Sequence, residues 1–196
     1  MKIVHLIAGI ALSATPSLAE ETTQLDAHEH GVGQLNIAFD ENKVAMELHA
    51  PGADIVGFEY GAKSDVDLAA IDAALQTLSD PLGLFLLPEA ASCIVITAHA
   101  KLESEDSDHD DHDEEGHDDH DDEGHDDHDE APGHTEFHAE YLLECANLTE
   151  MSAITFSYFE IFPNALELEV QVISDKGATA FEIERDVAKL DLRGIF

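Results

Sequence analysis

Histidine and aspartate recur at a fixed spacing in residues 103–130, and these side chains are ligands that metal ions use. The tetrapeptide His-Asp-Asp-His occurs three times with a period of eight residues, and one glycine separates successive copies. A spacer that only supplies charge has no need of histidine in a strict register, so the repeat favours divalent metal binding over a plain acidic linker. Its six histidines are His109, His112, His117, His120, His125 and His128.

This stretch, called the tract below, contains no apolar or basic residue, so it has no face to bury. We therefore expect it to be disordered without a ligand. It also contains 18 carboxylates and no thiolate. Imidazole suits zinc, copper and nickel alike, and the general order of affinities places Cu²⁺ at least level with Zn²⁺. The residues therefore predict a divalent transition metal and leave zinc, copper and nickel open.

The first twenty residues predict export from the cytoplasm. A basic start at Lys2 precedes a mostly apolar run, residues 3–14, and the small residues around Ala19 are typical of a cleavage site. This pattern indicates a signal peptide over residues 1–19, and the apolar run is too short to span a membrane. We expect a periplasmic protein with no membrane insertion.

The charge balance limits the partners that the chain can have. The formal net charge is −36, and outside the tract 26 acids still face 8 basic residues. Such a surface repels nucleic acid and attracts cations, so nucleic-acid binding is excluded and divalent metal ions are the expected partners.

No HExxH motif is present, and His-Asp pairs in a low-complexity repeat do not build a rigid catalytic site. The sequence therefore predicts that the protein is not an enzyme.

Two cysteines, Cys93 and Cys145, favour a disulfide because an exported protein meets an oxidising compartment. A pair of thiolate metal ligands is the alternative, although the close CxxC spacing of such ligands is missing. Both cysteines border apolar or alternating segments that read as strands. If these strands pair antiparallel with the cysteines opposed, Val95 faces Leu143 and Thr97 faces Tyr141. The tract would then be a long loop that emerges from a hairpin, and the disulfide would close the base of that hairpin.

The segment before the cysteines begins with a β-hairpin. Residues 34–39 and 44–49 alternate between apolar and polar around a four-residue turn. Leu35, Ile37, Phe39, Val44, Met46 and Leu48 share the face expected in the core. If the first strand extends backward, His28 and His30 join His49 at one end of the polar face. Three imidazoles there predict a preorganised metal site, with a frayed N-terminus as the alternative.

The remaining pattern completes the prediction of the fold. Ser64 caps a helix whose apolar stripe, Leu68, Ile71, Leu75 and Leu78, is expected to belong to the core. Strands are expected at residues 153–162, 166–172 and 178–184, and the aromatic cluster of the first belongs to the core. The fold class is α+β, mainly an antiparallel sheet with one or two helices and a long disordered His/Asp-rich loop. We expect a hairpin and helix module (20–102), the loop (103–133) and a C-terminal β module (134–196), with both modules packed as one domain.

The order of the motifs along the mature chain resembles the ZrgA-type periplasmic zinc uptake proteins. The segments that carry the resemblance are His28–Val32, Leu35–Ala38, Ala50-Pro51, Ile55–Glu59, Ala91–Cys93, His134–Phe137, Tyr141, Cys145, Phe162-Pro163 and Val170-Gln171. The resemblance implies a zinc-binding protein that assists zinc acquisition, beside an ABC-type zinc importer or its binding protein. It also implies that the insertion and the folded module both bind metal.

The expected ligands follow from both lines of reasoning. We predict a tight folded site at His28, His30 and His49, with Glu59, His134 and His138 as further contributors, and a weaker, more labile class in the tract. This chain has Tyr60 where the resemblance leads us to expect histidine, so Glu59 is the expected substitute. The residues alone equally allow a second function, a buffer or detoxification protein for excess divalent metal.

Overall fold

The structure is a computed structural model that describes residues 29–104 and 134–195. The predicted signal peptide, His28 and the six tract histidines lie outside these ranges. The described residues form a mainly antiparallel β structure with short helices, which confirms the predicted fold class. Within them, no helix is long and apolar enough to cross a membrane.

The strands are β1 (Val32–Asp40), β2 (Lys43–Pro51), β3 (Phe85–Leu86), β4 (Cys93–Ser104), β5 (Thr135–Cys145), β6 (Ala153–Phe156), β7 (Glu167–Ser174), β8 (Gly177–Glu184) and β9 (Lys189–Asp191). The helices are α1 (Gly52–Ile55), α2 (Asp65–Leu78), α3 (Pro81–Leu84) and α4 (Tyr158–Ile161).

A six-stranded sheet in the order β4-β5-β2-β1-β7-β8 dominates the fold. Its neighbouring strands are antiparallel except for β1 and β7, which are parallel. A second sheet in the order β3-β6-β9 is smaller. Strands from before and after residues 105–133 alternate in the large sheet, so one core is built from both parts of the chain.

The predicted β-hairpin is confirmed. Strands β1 and β2 pair antiparallel, with Leu35 opposite Leu48 and Phe39 opposite Val44. Because side chains alternate along a strand, the six predicted apolar residues enter the core and all are buried. The polar alternate residues of the hairpin, including Glu47 and His49, therefore lie on the outer face of the sheet.

The disulfide between Cys93 and Cys145 is present, but the predicted pairing of Thr97 with Tyr141 is wrong. Val95 faces Leu143 as expected, and a β-bulge at Ile96 then moves Thr97 opposite Leu142. An extra residue in one strand exchanges the two faces of everything beyond it. Without the bulge, the charged residues of the second half of β4 would enter the core. With it, the small apolar residues Ala98, Ala100 and Leu102 pack against the core instead.

Helix α2 begins as predicted, because the Ser64 hydroxyl accepts a hydrogen bond from the Asp67 backbone N–H at 3.1 Å. Its buried residues are Ile71, Ala74 and Leu78. The expectation that Leu68 belongs to the core is wrong, since 49% of this residue is exposed. The buried stripe starts one turn later, at Ile71.

The strand predicted over residues 153–162 ends at Phe156, and α4 follows. Tyr158, Phe159 and Phe162 are all buried, which confirms the aromatic cluster as core. A strand would direct Tyr158 and Phe159 to opposite sides, whereas one helical turn places Tyr158 and Phe162 on the same side. The centroids of these two rings lie 5.2 Å apart. Aromatic burial thus overrides the strand preference of the segment.

Gly52, the first residue of α1, lies against β5 too closely for any larger residue. A Cβ there would overlap Thr135 Oγ1 and lie 2.7 Å from the Phe58 carbonyl oxygen. We expect Gly52→Ala to lower the free energy of unfolding by about 1–3 kcal/mol, because overpacking outweighs the gain in helix propensity of about 0.5–1 kcal/mol. Gly61→Ala is the matched control, since a Cβ at Gly61 meets nothing within 4 Å. Urea titration of both variants tests this, and equal stabilities would contradict it.

Candidate metal centre

Two adjacent strands place histidines and glutamates on the outer face of the large sheet. The register puts His49 of β2 directly opposite His138 of β5. Glu47 lies two residues before His49, and Glu136 lies two residues before His138, so all four side chains leave the same face. The apolar alternates of both strands are buried, and they fix this orientation.

Glu47, His49 and His138 form a group that we call the inner cluster. Glu47 Oε1 lies 3.1 Å from His138 Nε2 and 3.4 Å from His49 Nε2. The two imidazole rings stack with centroids 4.3 Å apart and an interplanar angle of 18°. One potential ligand atom from each of the three residues lies within 4.8 Å of the other two. Only 11% of the His138 side chain is exposed, so the cluster is partly shielded from solvent.

The opposite nitrogen of each ring also faces a carboxylate. Glu136 Oε2 lies 3.2 Å from His49 Nδ1, and Glu103 Oε1 lies 3.6 Å from His138 Nδ1. Glu103 is itself held by Lys101, whose Nζ lies 2.5 Å from Oε1. Glu136 is close enough to accept from His49 Nδ1–H, as the carboxylate does in carboxylate–histidine–zinc arrangements, whereas Glu103 makes only an ion-pair contact with His138.

The spacing of these atoms is close to that of a zinc site. Tetrahedral Zn²⁺ with bonds of about 2.0–2.1 Å places neighbouring ligand atoms about 3.3–3.4 Å apart. The two nitrogen–oxygen distances in the inner cluster, 3.1 and 3.4 Å, need little adjustment. The near-parallel rings must turn about χ2 to direct both lone pairs at one ion, a motion that the broad χ2 preference of histidine permits. The cluster thus supplies three ligands and leaves a fourth position open.

The electrostatics of the cluster set up a competition between protons and metal. The hydrogen bond with Glu136 raises the pKa of His49 above its ordinary value, despite partial burial. Burial raises the pKa of Glu47, but hydrogen bonds with His49, Asn36 and His138 outweigh it, so the pKa of Glu47 is lowered overall. The metal-free cluster therefore holds an anionic Glu47 beside a proton that zinc must displace.

This competition predicts the pH dependence of zinc binding at the inner cluster. Because the pKa of His49 lies above the ordinary imidazole value of 6.5, apparent affinity should begin to fall at a higher pH than for a free histidine. Protonated His49 stabilises the metal-free fold at low pH, and this contribution is lost as pH rises through the raised pKa. Glu136→Gln removes the main cause of the shift, so the fall in affinity should start at lower pH. Chelator competition between pH 5.5 and 8 tests this, and an unchanged profile would count against it.

Three further polar residues form a second group, which we call the outer cluster: His30, Glu59 and His134. Glu59 Oε2 accepts from His30 Nε2 and from His134 Nδ1, both at 2.9 Å. The hydrogen bond with Glu59 raises the pKa of His30. Burial raises the pKa of Glu59, but the two imidazole hydrogen bonds outweigh it and lower the pKa of Glu59 overall. Glu59 is only 13% exposed, whereas both histidines are exposed.

The structure divides the ligands that the sequence predicts for the folded module. His49 and His138 come together in the inner cluster, and His30, Glu59 and His134 come together in the outer cluster. His28 and the tract histidines lie outside the described residues. Glu47, Glu103 and Glu136 are absent from the ligands predicted from sequence. The alternation of Glu47 with His49, and of Glu136 with His138, is the signal that places them beside the imidazoles.

Comparison with known proteins agrees with this chemistry. The profile described as "ZrgA family zinc uptake protein" matches residues 27–192, which include both clusters and residues 103–130. A search of curated proteins gives no match. The family description supports zinc as the ion that the Glu47, His49 and His138 group would hold, and it gives no support to copper or nickel. On a match over most of its length, the chain belongs to the ZrgA family of zinc uptake proteins.

Proposed function

We propose that this protein binds zinc in the periplasm and assists its acquisition, with the inner cluster as its folded site. One observation carries the proposal. Two imidazoles direct Nε2 at a single carboxylate oxygen, and each is backed at Nδ1 by another carboxylate. The contact with Glu136 holds the His49 ring with Nε2 toward Glu47 before any ion arrives, which reduces the cost of ordering the site.

The open fourth position suits an ion that is carried rather than kept. A zinc ion with three protein ligands and one exchangeable position can accept a ligand from a second protein before its own ligands leave. The outer face of the sheet gives such a partner direct access, since 43% of the Glu47 side chain is exposed. We therefore propose transfer to an ABC-type zinc importer or to its binding protein. The net charge of −36 would concentrate cations around the chain.

The tract is proposed to be a second, more labile class of zinc ligands. Its neighbouring carboxylates favour protonated imidazole, so protons compete there more strongly than at an isolated histidine. The signal peptide predicted at residues 1–19 supports the periplasmic location of both classes. Together they would give a capture region of high capacity and a folded site of higher affinity.

Growth under zinc limitation tests the proposal. A strain that lacks the gene should grow poorly with a chelator, and expression of the full chain should restore growth. We expect the His49→Gln, His138→Gln double variant to restore it only weakly. His99→Gln is the matched control, because His99 lies on the same outer face, opposite Glu140, and belongs to neither cluster. Full rescue by the double variant would exclude the inner cluster from the function.

The second candidate function, buffering of excess zinc, copper or nickel, rests on the six histidines of the tract. The two functions require opposite regulation. An acquisition protein should be made during zinc starvation, and a buffer should be made during metal excess. A promoter fusion measured with chelator and with added metal separates them, and induction by excess metal alone would favour the buffer.

A further inference from the structure

The outer cluster resembles a metal site in its donors but takes no part in the inner cluster. Two imidazoles approach one oxygen of Glu59, and each nitrogen–oxygen distance is 2.9 Å. Zinc among these three atoms requires about 3.3–3.4 Å between each pair of atoms. Each nitrogen–oxygen pair must therefore open by roughly 0.4 Å, and the two imidazole nitrogens must close from more than 4.8 Å apart. The two exposed imidazoles can move that far, because 67% of the His30 side chain and 54% of the His134 side chain are exposed. Glu59 is the fixed member.

One ion cannot serve both clusters at once. His134 and His138 are four residues apart along one edge of the pairing between β5 and β2, so their Cα atoms lie roughly 13 Å apart. Imidazoles on Cα atoms this far apart could reach one ion only if both side chains extended fully toward each other. The two histidines also point to different carboxylates, His134 to Glu59 and His138 to Glu47. The clusters are therefore neighbouring sites and not one shared site.

A buried carboxylate beneath the outer cluster supplies an independent observation. Asp54 is only 2% exposed. Its Oδ1 accepts the Gly31 backbone N–H at 2.8 Å, and its Oδ2 has no hydrogen-bond partner among the described residues. Gly31 has a φ of +91°, a conformation open to glycine, and this turn directs the preceding His30 toward Glu59.

Burial raises the pKa of Asp54, because the ionised carboxylate costs free energy unless a positive charge lies nearby. Asp54 interacts electrostatically with both His30 and Glu59. A divalent cation at the outer cluster would therefore compensate two carboxylates, Glu59 directly and Asp54 through space.

We propose that His30, Glu59 and His134 bind a second zinc ion, held separately from the ion in the inner cluster. The choice of zinc rests on the proposed function, whereas the presence of a cation site rests on the geometry of the cluster. The outer site binds more weakly and exchanges faster, because its imidazoles are exposed and no second carboxylate holds their other nitrogens within the described contacts. Glu136 lies between His134 and His138 on the same face, so the two sites adjoin.

Histidine-selective nuclear magnetic resonance of the full chain tests the inference. The protein is labelled with ¹⁵N at histidine, the resonances are assigned with single His→Gln variants, and Zn²⁺ is added in steps. We expect the imidazole signals of His30 and His134 to change together, in a step separate from that of His49 and His138. Glu59→Gln should weaken the outer step by about 10-fold or more and leave the inner step in place. Glu89→Gln, an exposed glutamate outside both clusters, is the control, and His30→Gln serves if Glu59→Gln does not fold.

The outcomes separate this inference from the proposed function. A single step shared by all four histidines, abolished by loss of either cluster, would overturn the second site and leave zinc binding intact. A response of His49 and His138 alone would also overturn it. A response of His30 and His134 alone would support the outer site and contradict the inner one. Failure of all four to respond would contradict both.

Discussion

Replacing His138 with alanine is expected to weaken zinc binding at the inner cluster more than about 100-fold. Loss of an outer carboxylate partner alone typically costs about 10- to 100-fold, and His138 is a direct ligand in the proposed site. The variant leaves Glu47 and His49 as two ligands, too few for a zinc site of useful affinity. Only 11% of the His138 side chain is exposed, so a water molecule would not readily replace the lost imidazole as an equally strong zinc ligand.

The measurement requires a chain in which the tract does not compete. The six tract histidines are changed to glutamine in the full-length protein, and zinc affinity is then measured by competition with a chelator. His99→Ala in the same background is the control and should change affinity less than about 3-fold, because surface substitutions away from a site have small effects. Tight zinc binding that is already absent from this background, but that survives His138→Ala in the natural chain, would place the tight site in the tract.

Local pattern was sufficient to predict the hairpin and the start of helix α2. The period-two alternation of residues 34–49 fixes which side chains enter the core, and the core then fixes the register of β1 and β2. Ser64 caps the helix through a contact only three residues along the chain. Both features depend on neighbours in sequence, so they can be read before the tertiary structure is known.

The bulge at Ile96 can be recognised from the positions of the core residues in β4, which change from odd to even numbers along the strand. Cys93 packs against the core at an odd position, whereas Ala98, Ala100 and Leu102 pack against it at even positions. The change of parity requires one extra residue between them. It also decides the chemistry, because it turns Lys101 and Glu103 outward, where Glu103 supports His138. A register drawn from the cysteines alone misses this contact.

The division of the ligands into two clusters was beyond the reach of sequence. His30 and Glu59 are 29 residues apart, and Glu59 and His134 are 75 apart. Their meeting depends on the turn at Gly31 and on the path of residues 52–59 against β5, which tertiary packing sets. The pairing of His49 with His138 likewise requires β5 to lie beside β2, a neighbour relation that strand pattern does not specify.

Replacing both cysteines with alanine is expected to lower the free energy of unfolding by about 3–4 kcal/mol. The disulfide joins residues separated by 52 positions, and the loop-entropy model gives about 4 kcal/mol for a loop of this length. The loss is a large fraction of the roughly 5–15 kcal/mol by which a domain is stable. Strand β4 is an edge strand of the large sheet and pairs only with β5 in the described structure. It is therefore the strand that should detach most readily when the disulfide is removed.

Charge should amplify the effect. Ser104 and Thr135 pair at the other end of β4 and β5, so the 17 carboxylates of residues 105–130 lie in the segment that joins these strands, and their mutual repulsion favours opening of the hairpin. The loss of stability should therefore be larger in low salt than in about 0.5 M salt, where the repulsion is screened. Urea titration at both salt concentrations tests this, and reductant should destabilise the natural chain but leave the variant unchanged.

Cys145 lies seven residues from His138, roughly 23 Å along the strand, so zinc affinity of the folded variant should stay within about 3-fold. A loss of less than about 1 kcal/mol, or an equal loss in both salts, would show that packing and not the disulfide holds β4 in place.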